Sequence, residues 1–283
     1  MQAPEYLVVG HVTKDLLAGG AIRAGGTALY AGLTVQELGA QAAIVTALAP
    51  ADQDLLAPAQ AAGILCHVLP SSETTTYAIT YHGEARDMHL AGRATLLTPA
   101  DIPTAWRDTP ILHLGPVAAE LDATADWNAC CPNALVAVTP QGWLRTFDAA
   151  GLMSPAPWTT ARSLLDRADV LVMSGEDVGN DQEALMHYVG MARLAVVTAG
   201  ADGATLYERG RALGTVPSCQ AAPVDFTGAG DVFTAAFLVG YRESGDMWRA
   251  VAFAHAAAAF AIEGMGTAGI ATRPRVEARM APR

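Results

Sequence analysis

Short, continuously apolar runs alternate with longer amphipathic runs along this chain, and that alternation limits the folds open to it. The apolar runs are typical of strands covered on both faces. They are Tyr6–His11, Ala43–Leu48, Ile111–Gly115, Leu135–Thr139, Val170–Met173 and Leu194–Thr198. Predicted helices are Thr27–Leu38, Gln53–Ala62, Ala118–Asn128, Thr160–Arg167, Asp181–Ala192, Gly230–Glu243 and Met247–Glu263. Strands that alternate with helices predict an α/β fold with a mostly parallel sheet and helices on both faces.

One segment departs from this pattern. Thr74–Tyr81 alternates and is rich in β-branched and aromatic residues, and a second strand is predicted at Arg86–Leu90. Together they predict an antiparallel hairpin over residues 74–91 with one face in water. This hairpin is either a lid over a binding site or an ordinary edge hairpin, and periodicity does not separate the two. No internal repeat or low-complexity linker divides the sequence, so residues 1–283 are predicted to form one domain.

The charge balance excludes several functional classes. Lysine and arginine total 17 against 28 acidic residues, a formal net charge of −11, and Lys14 is the only lysine. This balance argues against nonspecific nucleic-acid binding and against an anionic membrane surface as a partner. A P-loop needs a lysine directly after its glycines. Lys14 lies in Val-Thr-Lys-Asp, so the chain has no such loop.

Targeting and redox signals are weak. The longest apolar stretch, Ala250–Ile262, is shorter than the ~20 residues that a membrane-spanning helix requires. The N-terminal residues show no basic region followed by a long apolar run, so we expect no signal peptide. The four cysteines include no CxxC pair. We therefore expect reduced thiols in a cytoplasmic protein.

The most informative motif is Asp225–Asp231, Asp-Phe-Thr-Gly-Ala-Gly-Asp, directly before an apolar helix. Glycine and alanine leave the backbone N–H groups of residues 228–230 free of side-chain bulk, and a helix N-terminus adds partial positive charge. Together they predict an anion site that needs no lysine. Asp231 at its rim suits a base that takes a proton from a hydroxyl attacking a phosphate. The alternative is a glycine turn in which Asp231 only caps the helix.

Asp225–Asp231 resembles the signature of the ribokinase-like (PfkB-type) carbohydrate kinases, and four other stretches resemble family motifs in the same order. Val8–Asp15 resembles the family's first strand, and Gly25–Gly32 its double-glycine substrate motif. Ala168–Asp177 resembles the strand leading into an Asn-x-x-Glu motif, and Val196–Ala204 the nucleotide-binding turn. The resemblance covers nearly the whole chain. It implies a three-layer α/β sandwich with a mostly parallel central sheet and a small β lid.

The resemblance also implies roles for residues that match its motifs. It implies Asp231 as the general base. The amides implied to hold the transferring phosphoryl group are those of Gly228, Ala229 and Gly230. The residues implied to bind the acceptor are Asp15, Gly25 and Gly26, with Tyr30 where a sugar-binding asparagine is common.

On the donor side, the resemblance implies ATP and Mg²⁺ as cofactors and no tightly bound protein metal. The implied cofactor-binding residues are Ser174, Asp177, Thr198, Gly200, Gly203, Thr227, His255 and Ala258. Ser174 and Asp177 stand where asparagine and glutamate are usual. That motif acts through water on the magnesium ion and the phosphates.

Two further features concern the substrate side. Pro140–Arg145 follows a central strand at the end where α/β sheets bind ligands. Arg145 is a candidate phosphate or substrate contact and Trp143 a candidate for ligand stacking, with a loop salt bridge and a buried anchor as the alternatives. Only nine residues separate Asp15 from Gly25. We therefore expect a small lid that rests mainly on the hairpin at 74–90.

These observations predict an ATP-dependent kinase that transfers the γ-phosphate to a hydroxyl of a small sugar or polyol. An inositol-like acceptor ranks first, because the start of the chain, the short gap to the double glycine and Tyr30 most resemble inositol kinases of this family. A sugar ranks next, then a nucleoside. A non-catalytic sugar-binding relative is the rival from another class. We expect a monomer or homodimer whose partners are the acceptor and ATP.

Overall fold

Among residues 3–82 and 85–280, which are those that the computed structural model describes, nine strands form one sheet. In chain order the strands are β1 (Tyr6–Val9), β2 (Thr13–Leu16), β3 (Ile22–Gly25), β4 (Ala42–Leu48), β5 (Leu65–Pro70), β6 (Thr76–His82), β7 (Ala85–Gly92), β8 (Ile111–Leu114), β9 (Leu135–Val138), β10 (Arg145–Phe147), β11 (Met153–Pro155), β12 (Val170–Ser174), β13 (Leu194–Thr198), β14 (Ala204–Glu208) and β15 (Arg211–Val216). The large sheet has the order β15-β14-β13-β12-β9-β8-β1-β4-β5. Its pairs from β13 to β5 are parallel, and β14 and β15 add antiparallel to one edge. The predicted mostly parallel sheet is confirmed.

Helices cover both faces of this sheet. They are α1 (Thr27–Glu37), α2 (Ala57–Ala61), α3 (Trp127–Cys130), α4 (Ala161–Leu165), α5 (Gln182–Met191), α6 (Ala229–Ser244), α7 (Met247–Ile262) and α8 (Arg273–Met280). Short 3-10 segments lie at Ala18–Gly20, Pro50–Leu56, Pro99–Asp101, Thr104–Trp106, Gly175–Val178, Gly200–Asp202 and Gly266–Gly269. None of the described helices is long and apolar enough to cross a bilayer.

Side-chain alternation in β1 sorts the core into two halves. Tyr6 and Val8 pack toward α1, α6 and α7, whereas Leu7 and Val9 pack toward α4 and α5. Because neighbouring side chains of a strand point to opposite faces, a fully buried sheet requires apolar residues at every position. The predicted three-layer arrangement follows, and it is confirmed.

Two predicted helices differ from the structure. The segment predicted as Gln53–Ala62 is a 3-10 turn followed by the short α2, because Pro58 has no N–H to continue an α-helix from residue 54. The helix predicted at Ala118–Asn128 is wrong over most of its length. The Glu120 carboxylate binds the N–H groups of Val117 and Ala118, and Glu120–Asp122 pairs with Leu97 in extended form.

The lid expectation needs a correction. β6 and β7 do not lie on an edge of the main sheet; with β2 and β3 they form a second sheet of order β3-β2-β6-β7. We expected the lid to rest mainly on the hairpin at 74–90, but half of this small sheet, β2 and β3, comes from residues 13–25. β2 already begins at Thr13, and residues 17–21 close a tight turn into β3, so nine residues suffice. The turn residues 83–84 of the other hairpin lie outside the described residues.

Trp143 is a buried anchor. Its ring stacks on Trp158 with centroids 4.8 Å apart, and its Nε1–H donates to the Leu121 carbonyl at 2.9 Å. Only 7% of the residue is exposed. The structure thus favours the structural alternative over ligand stacking.

We expect Trp143→Ala to lower the free energy of unfolding by about 3–5 kcal/mol, the usual cost of emptying a large aromatic site. Trp248→Ala is the matched control, because that ring is 41% exposed, and it should cost less than half as much. Urea unfolding of both variants measures the difference. Unchanged stability of Trp143→Ala together with weaker ligand binding would favour the stacking role instead.

Candidate active site

The candidate site lies at the carboxyl ends of β1, β8 and β9, where an open parallel sheet binds its ligands. Thr27, the first residue of α1, packs directly on Gly115, which follows β8. Thr139, which follows β9, has its Oγ1 3.4 Å from the position a Cβ of Gly115 would take. The N-terminus of α1 therefore points into the same crevice as these strand ends.

Asp15 is buried at this crevice rather than solvated. It lies in β2, is 5% exposed, and its Oδ1 accepts a hydrogen bond from Thr13 Oγ1 at 2.9 Å. The double glycine borders it closely. A Cβ on Gly25 would lie 2.6 Å from Asp15 Oδ2, and a Cβ on Gly26, whose φ is +88°, would overlap the His11 carbonyl. Both glycines are thus required by space, and their role in acceptor binding stays a prediction.

The second wall of the crevice is the turn that starts α6. Gly228 caps this helix in the left-handed region, with φ 78° and ψ 1°. A Cβ there would overlap the ring of Tyr30 from α1, so the ring rests on the bare backbone of the turn. Asp231 follows in the first turn of α6. At position 228, a glycine is required both by the positive φ and by the contact with the Tyr30 ring.

The three predicted amides of this turn differ in their surroundings. The Ala229 N–H donates to the Phe226 carbonyl at 3.2 Å, so it would have to exchange that bond for one to a phosphoryl group. Around Gly230, apart from its two chain neighbours and the backbone of its own helix, no atom of the described residues lies within 4 Å of where a Cβ would stand. Open space therefore borders the turn at Gly230, and the phosphoryl-binding role of these amides stays a prediction.

Tyr30 lies close to both the acceptor residue Asp15 and the anion turn at Gly228. The residue is 1% exposed, and its hydroxyl finds no hydrogen-bond partner among the residues that the structure describes. Burial raises the pKa of this hydroxyl; Arg23 opposes the rise, and Asp225, Asp231 and Asp15 add to it. The carboxylates predicted to act on acceptor and proton are therefore close enough to influence the same hydroxyl.

Arg23 is a site residue that the sequence did not reveal. Its Nη1 donates to Asp225 Oδ2 at 2.9 Å and its Nη2 to Thr227 Oγ1 at 3.3 Å. Asp225 also accepts from the N–H groups of Thr227 and Gly266. Burial works against ionisation, but these hydrogen bonds and the guanidinium hold the pKa of the Asp225 carboxyl below its usual value. Thr227, predicted near the phosphates, is thus bound by a residue of the small sheet.

On the donor side, Ser174 and Asp177 interact with each other. Asp177 Oδ2 accepts from the Ser174 N–H at 2.8 Å and from its Oγ–H at 3.1 Å, which caps the 3-10 segment Gly175–Val178. Ser174 ends β12 beside Thr198, which ends β13. The structure thus brings these three residues together, and the role of Asp177 toward magnesium through water stays a prediction.

The remaining donor-side residues are placed less evenly. Gly200 and Gly203 frame a tight turn after β13, closed by the Ala199 N–H on the Gly203 carbonyl at 2.8 Å. His255 is 6% exposed and packs edge-on against Phe233, and its Nε2 has no hydrogen-bond partner among the described residues. Burial lowers the pKa of its imidazole. Ala258, one turn further along α7, is half-buried.

Arg145 and Glu120 each contact residues in or next to the small sheet. Arg145 hydrogen-bonds Tyr77 of β6, whose hydroxyl donates to the Val117 carbonyl at 2.6 Å. Glu120 is fully buried and accepts from the backbone N–H of His11 at 3.0 Å, besides those of Val117 and Ala118. Sequence reasoning missed Glu120, since one of its partners, the His11 N–H, lies 109 positions away. A substrate contact by Arg145 stays a prediction.

Within residues 3–82 and 85–280, no three His, Cys, Asp or Glu side chains group closely enough to hold a metal ion. Asp177, with its Oδ2 engaged in the cap, and the half-buried Asp231 are carboxylates that fit water-mediated contact with a cation brought in by phosphates.

Residues 119–273 match the pfkB family carbohydrate kinases, which is more than half of the chain. The chain belongs to the pfkB family. Among its relatives, a fructokinase from Rhizobium leguminosarum bv. trifolii is 28% identical over 198 residues, 62% of this chain and 57% of the fructokinase. The match therefore spans little more than half the length of that relative.

Solved structures of this family share the fold over nearly the full length. A pyrophosphate-dependent kinase in the ribokinase family, complexed with a pyrophosphate analog and myo-inositol, superposes with a TM-score of 0.82 at 22% identity, covering 96% of this chain and 99% of that one. Arabidopsis thaliana ribokinase, complexed with ribose and ATP, gives a TM-score of 0.77 at 19% identity and covers both chains fully. The fold expected from the resemblance is confirmed.

We expect Gly228→Ala and Gly230→Ala to fail in different ways. Gly228→Ala forces a Cβ into the Tyr30 ring at positive φ, so it should lower the melting temperature and displace the turn. Gly230→Ala meets only open space, so it should keep the melting temperature while weakening the binding of inorganic phosphate or pyrophosphate at least tenfold. Thermal unfolding and calorimetric titration measure the two effects. Equal stability of the two variants would contradict the Tyr30 contact.

Proposed function

We propose that this pfkB family member is an ATP-dependent kinase that phosphorylates a hydroxyl of a small sugar or polyol. The observation that carries the proposal is the placement of two carboxylates close to Tyr30. Asp15 is buried beside the double glycine, and Asp231 lies in the first turn of a helix that begins at Gly228. One carboxylate suits acceptor binding and the other suits proton abstraction beside an anion site.

The acceptor side works through Asp15. A buried carboxylate accepts hydrogen bonds from hydroxyl groups, and Thr13 already fixes one of its oxygens. Because Gly25 has no side chain, that residue does not cover Asp15 Oδ2. The Tyr30 hydroxyl, buried and without a partner in the described structure, offers a further bond to the acceptor.

The transfer step works through the start of α6. Asp231 takes the proton of the attacking hydroxyl as that oxygen bonds to the γ-phosphorus and the bond to the leaving phosphate breaks. The N–H groups of the turn and the partial positive charge of a sixteen-residue helix stabilise the negative charge of the transferring group. Positioning and charge stabilisation account for most of what phosphoryl transfer requires.

Magnesium, bound to the donor phosphates, supplies further charge neutralisation, and Asp177 would hold it through water. The small sheet β3-β2-β6-β7 is the element that excludes bulk water from the crevice. Its inner surface packs Tyr77 and Ile79 against Val117 and Ala118 of the loop after β8.

An inositol-like acceptor is the first choice, followed by a sugar and then a nucleoside. The complex of the structurally similar pyrophosphate-dependent kinase with myo-inositol supports this order. Tyr30 supports it too, because a phenol at the position where a sugar-binding amide is common offers one donor instead of two, which weakens the case for a sugar.

Pyrophosphate is the rival donor, since that same kinase uses it. The burial of His255 favours the rival, because a 6% exposed ring offers little surface to an adenine. The ATP-bound ribokinase supports ATP instead. The proposal keeps ATP as the donor and makes the rival an outcome of the assay.

We expect Asp231→Asn to lower kcat about 10²–10⁴-fold, the range for loss of a general base, with acceptor KM changed less than threefold. The matched control is Asp246→Asn, the same change at the cap of α7, where the side chain holds the N–H groups of Trp248 and Arg249. Asparagine caps helices as well as aspartate does, so this variant should keep wild-type turnover. An Asp231→Asn enzyme with normal kcat would remove Asp231 as the base.

We expect wild type to phosphorylate myo-inositol with ATP faster than it phosphorylates D-fructose, D-ribose or adenosine. Mass detection of each phosphorylated acceptor, with ATP and pyrophosphate run in parallel, measures the ranking. Turnover with pyrophosphate alone would replace the donor. Binding of an acceptor without transfer from either donor would favour the non-catalytic relative.

A further inference from the structure

The small sheet and the anion turn are joined by Arg23. In the β2–β3 ladder, Arg23 pairs directly with Asp15. Because paired residues of an antiparallel ladder project to the same face, the acceptor carboxylate and this guanidinium leave the small sheet side by side. A movement of this ladder therefore carries both groups together.

The guanidinium binds the turn at two points. Nη1 lies 2.9 Å from Asp225 Oδ2, and Nη2 lies 3.3 Å from Thr227 Oγ1. Asp225 and Thr227 flank Phe226 in the sequence just before Gly228. Phe226 itself is 69% exposed. Because the Phe226 side chain is exposed to solvent, it does not hold the turn to the small sheet. The Arg23 guanidinium makes that connection instead.

Asp225 also bonds a third segment of the chain. Its Oδ2 accepts from the Gly266 N–H at 3.0 Å, and its Oδ1 accepts from the Thr227 N–H at 2.9 Å. Arg23 also packs on Gly266, where a Cβ would lie 3.4 Å from Arg23 Cδ. One ion pair thus connects β3, the turn before α6 and the 3-10 segment after α7.

A contribution to folding stability does not by itself explain the Arg23–Asp225 ion pair. The side chains of Arg23 and Asp225 are 18% and 11% exposed, so the pair loses much of its hydration. At such sites the cost of desolvation offsets most of the Coulomb attraction. Its larger effect is geometric, since a guanidinium holds two acceptors in a fixed orientation.

We propose that Arg23 is a positioning residue that couples the small sheet to the anion turn. An acceptor that seats β2 through Asp15 thereby also holds Thr227 and Gly228 in the geometry for transfer. This inference rests on the proposed function. A displacement of reacting groups by about 1 Å can cost about 100-fold in rate, so loss of the link acts on kcat more than on acceptor KM.

The first test needs no ligand and compares hydrogen exchange in wild type, Arg23→Gln, Asp225→Asn and the double variant. We expect at least tenfold faster exchange at residues 225–230 in each variant, and no further increase in the double variant. Arg273→Gln is the matched control, since Arg273 pairs with Glu243 at 2.7 Å, at the far end of α6. It should leave residues 225–230 at the wild-type rate.

The second test measures turnover of myo-inositol and D-fructose with ATP and with pyrophosphate. We expect Arg23→Gln and Asp225→Asn each to lower kcat about 10- to 100-fold, with acceptor KM within threefold. The double variant should fall no more than threefold below the worse single variant. Arg23→Lys, which keeps the charge but loses the second donor, should recover part of the loss.

The two tests separate the two proposals. If the wild type phosphorylates none of these acceptors, the proposed function is refuted. The hydrogen-exchange data would still show whether Arg23 couples the small sheet to the anion turn. Wild-type exchange at residues 225–230 in Arg23→Gln would overturn the link even in an active enzyme. A double variant whose loss of kcat equals the product of the two single losses would likewise overturn the coupling. Two residues that act through one contact should not have independent effects on kcat.

Discussion

The ring of Tyr30 lies directly on the backbone of Gly228, and the arrangement of the site depends on this contact. With no side chain between them, α1 and the start of α6 approach closely, so the N-termini of both helices border one crevice. Each helix begins after a glycine at positive φ, 88° at Gly26 and 78° at Gly228. Two helix N-termini supply partial positive charge. That charge suits an anion in a chain whose net charge is −11.

Asp15, Asp225 and Asp231 are held close to this contact without sharing one environment. Asp225 is bound by a guanidinium and two backbone N–H groups, so it is committed to structure. Asp15 accepts the Thr13 hydroxyl and lies against Gly25. Asp231 stands on the first turn of α6. Separate environments allow similar carboxylates to serve different purposes.

The strands and long helices could be predicted because their signals are local. A parallel strand buried on both faces is apolar at every position, and α6 and α7 carry long apolar faces between polar ends. The strands β2 and β3 were missed as a pair because the charged residues Lys14, Asp15 and Arg23 are untypical of buried strands. The helix predicted from residue 118 failed because Glu120 binds the His11 N–H, 109 positions away. Arg23 was missed for the same reason, since Asp225 lies 202 positions away.

The single lysine illustrates how this chain divides its charges. Successive residues of a strand face opposite sides, so β2 presents Asp15 to the crevice and Lys14 to the other side. There Lys14 Nζ binds Asp52 Oδ1 at 2.7 Å and holds the small sheet to the 3-10 segment after β4. The hydrogen bond from Lys14 lowers the pKa of the Asp52 carboxyl. The lysine therefore anchors the small sheet from outside, while Arg23 contacts the anion turn from inside. Because a guanidinium can bind two oxygens at once and an ammonium acts as a point charge, the two cations cannot exchange places without losing the inner link.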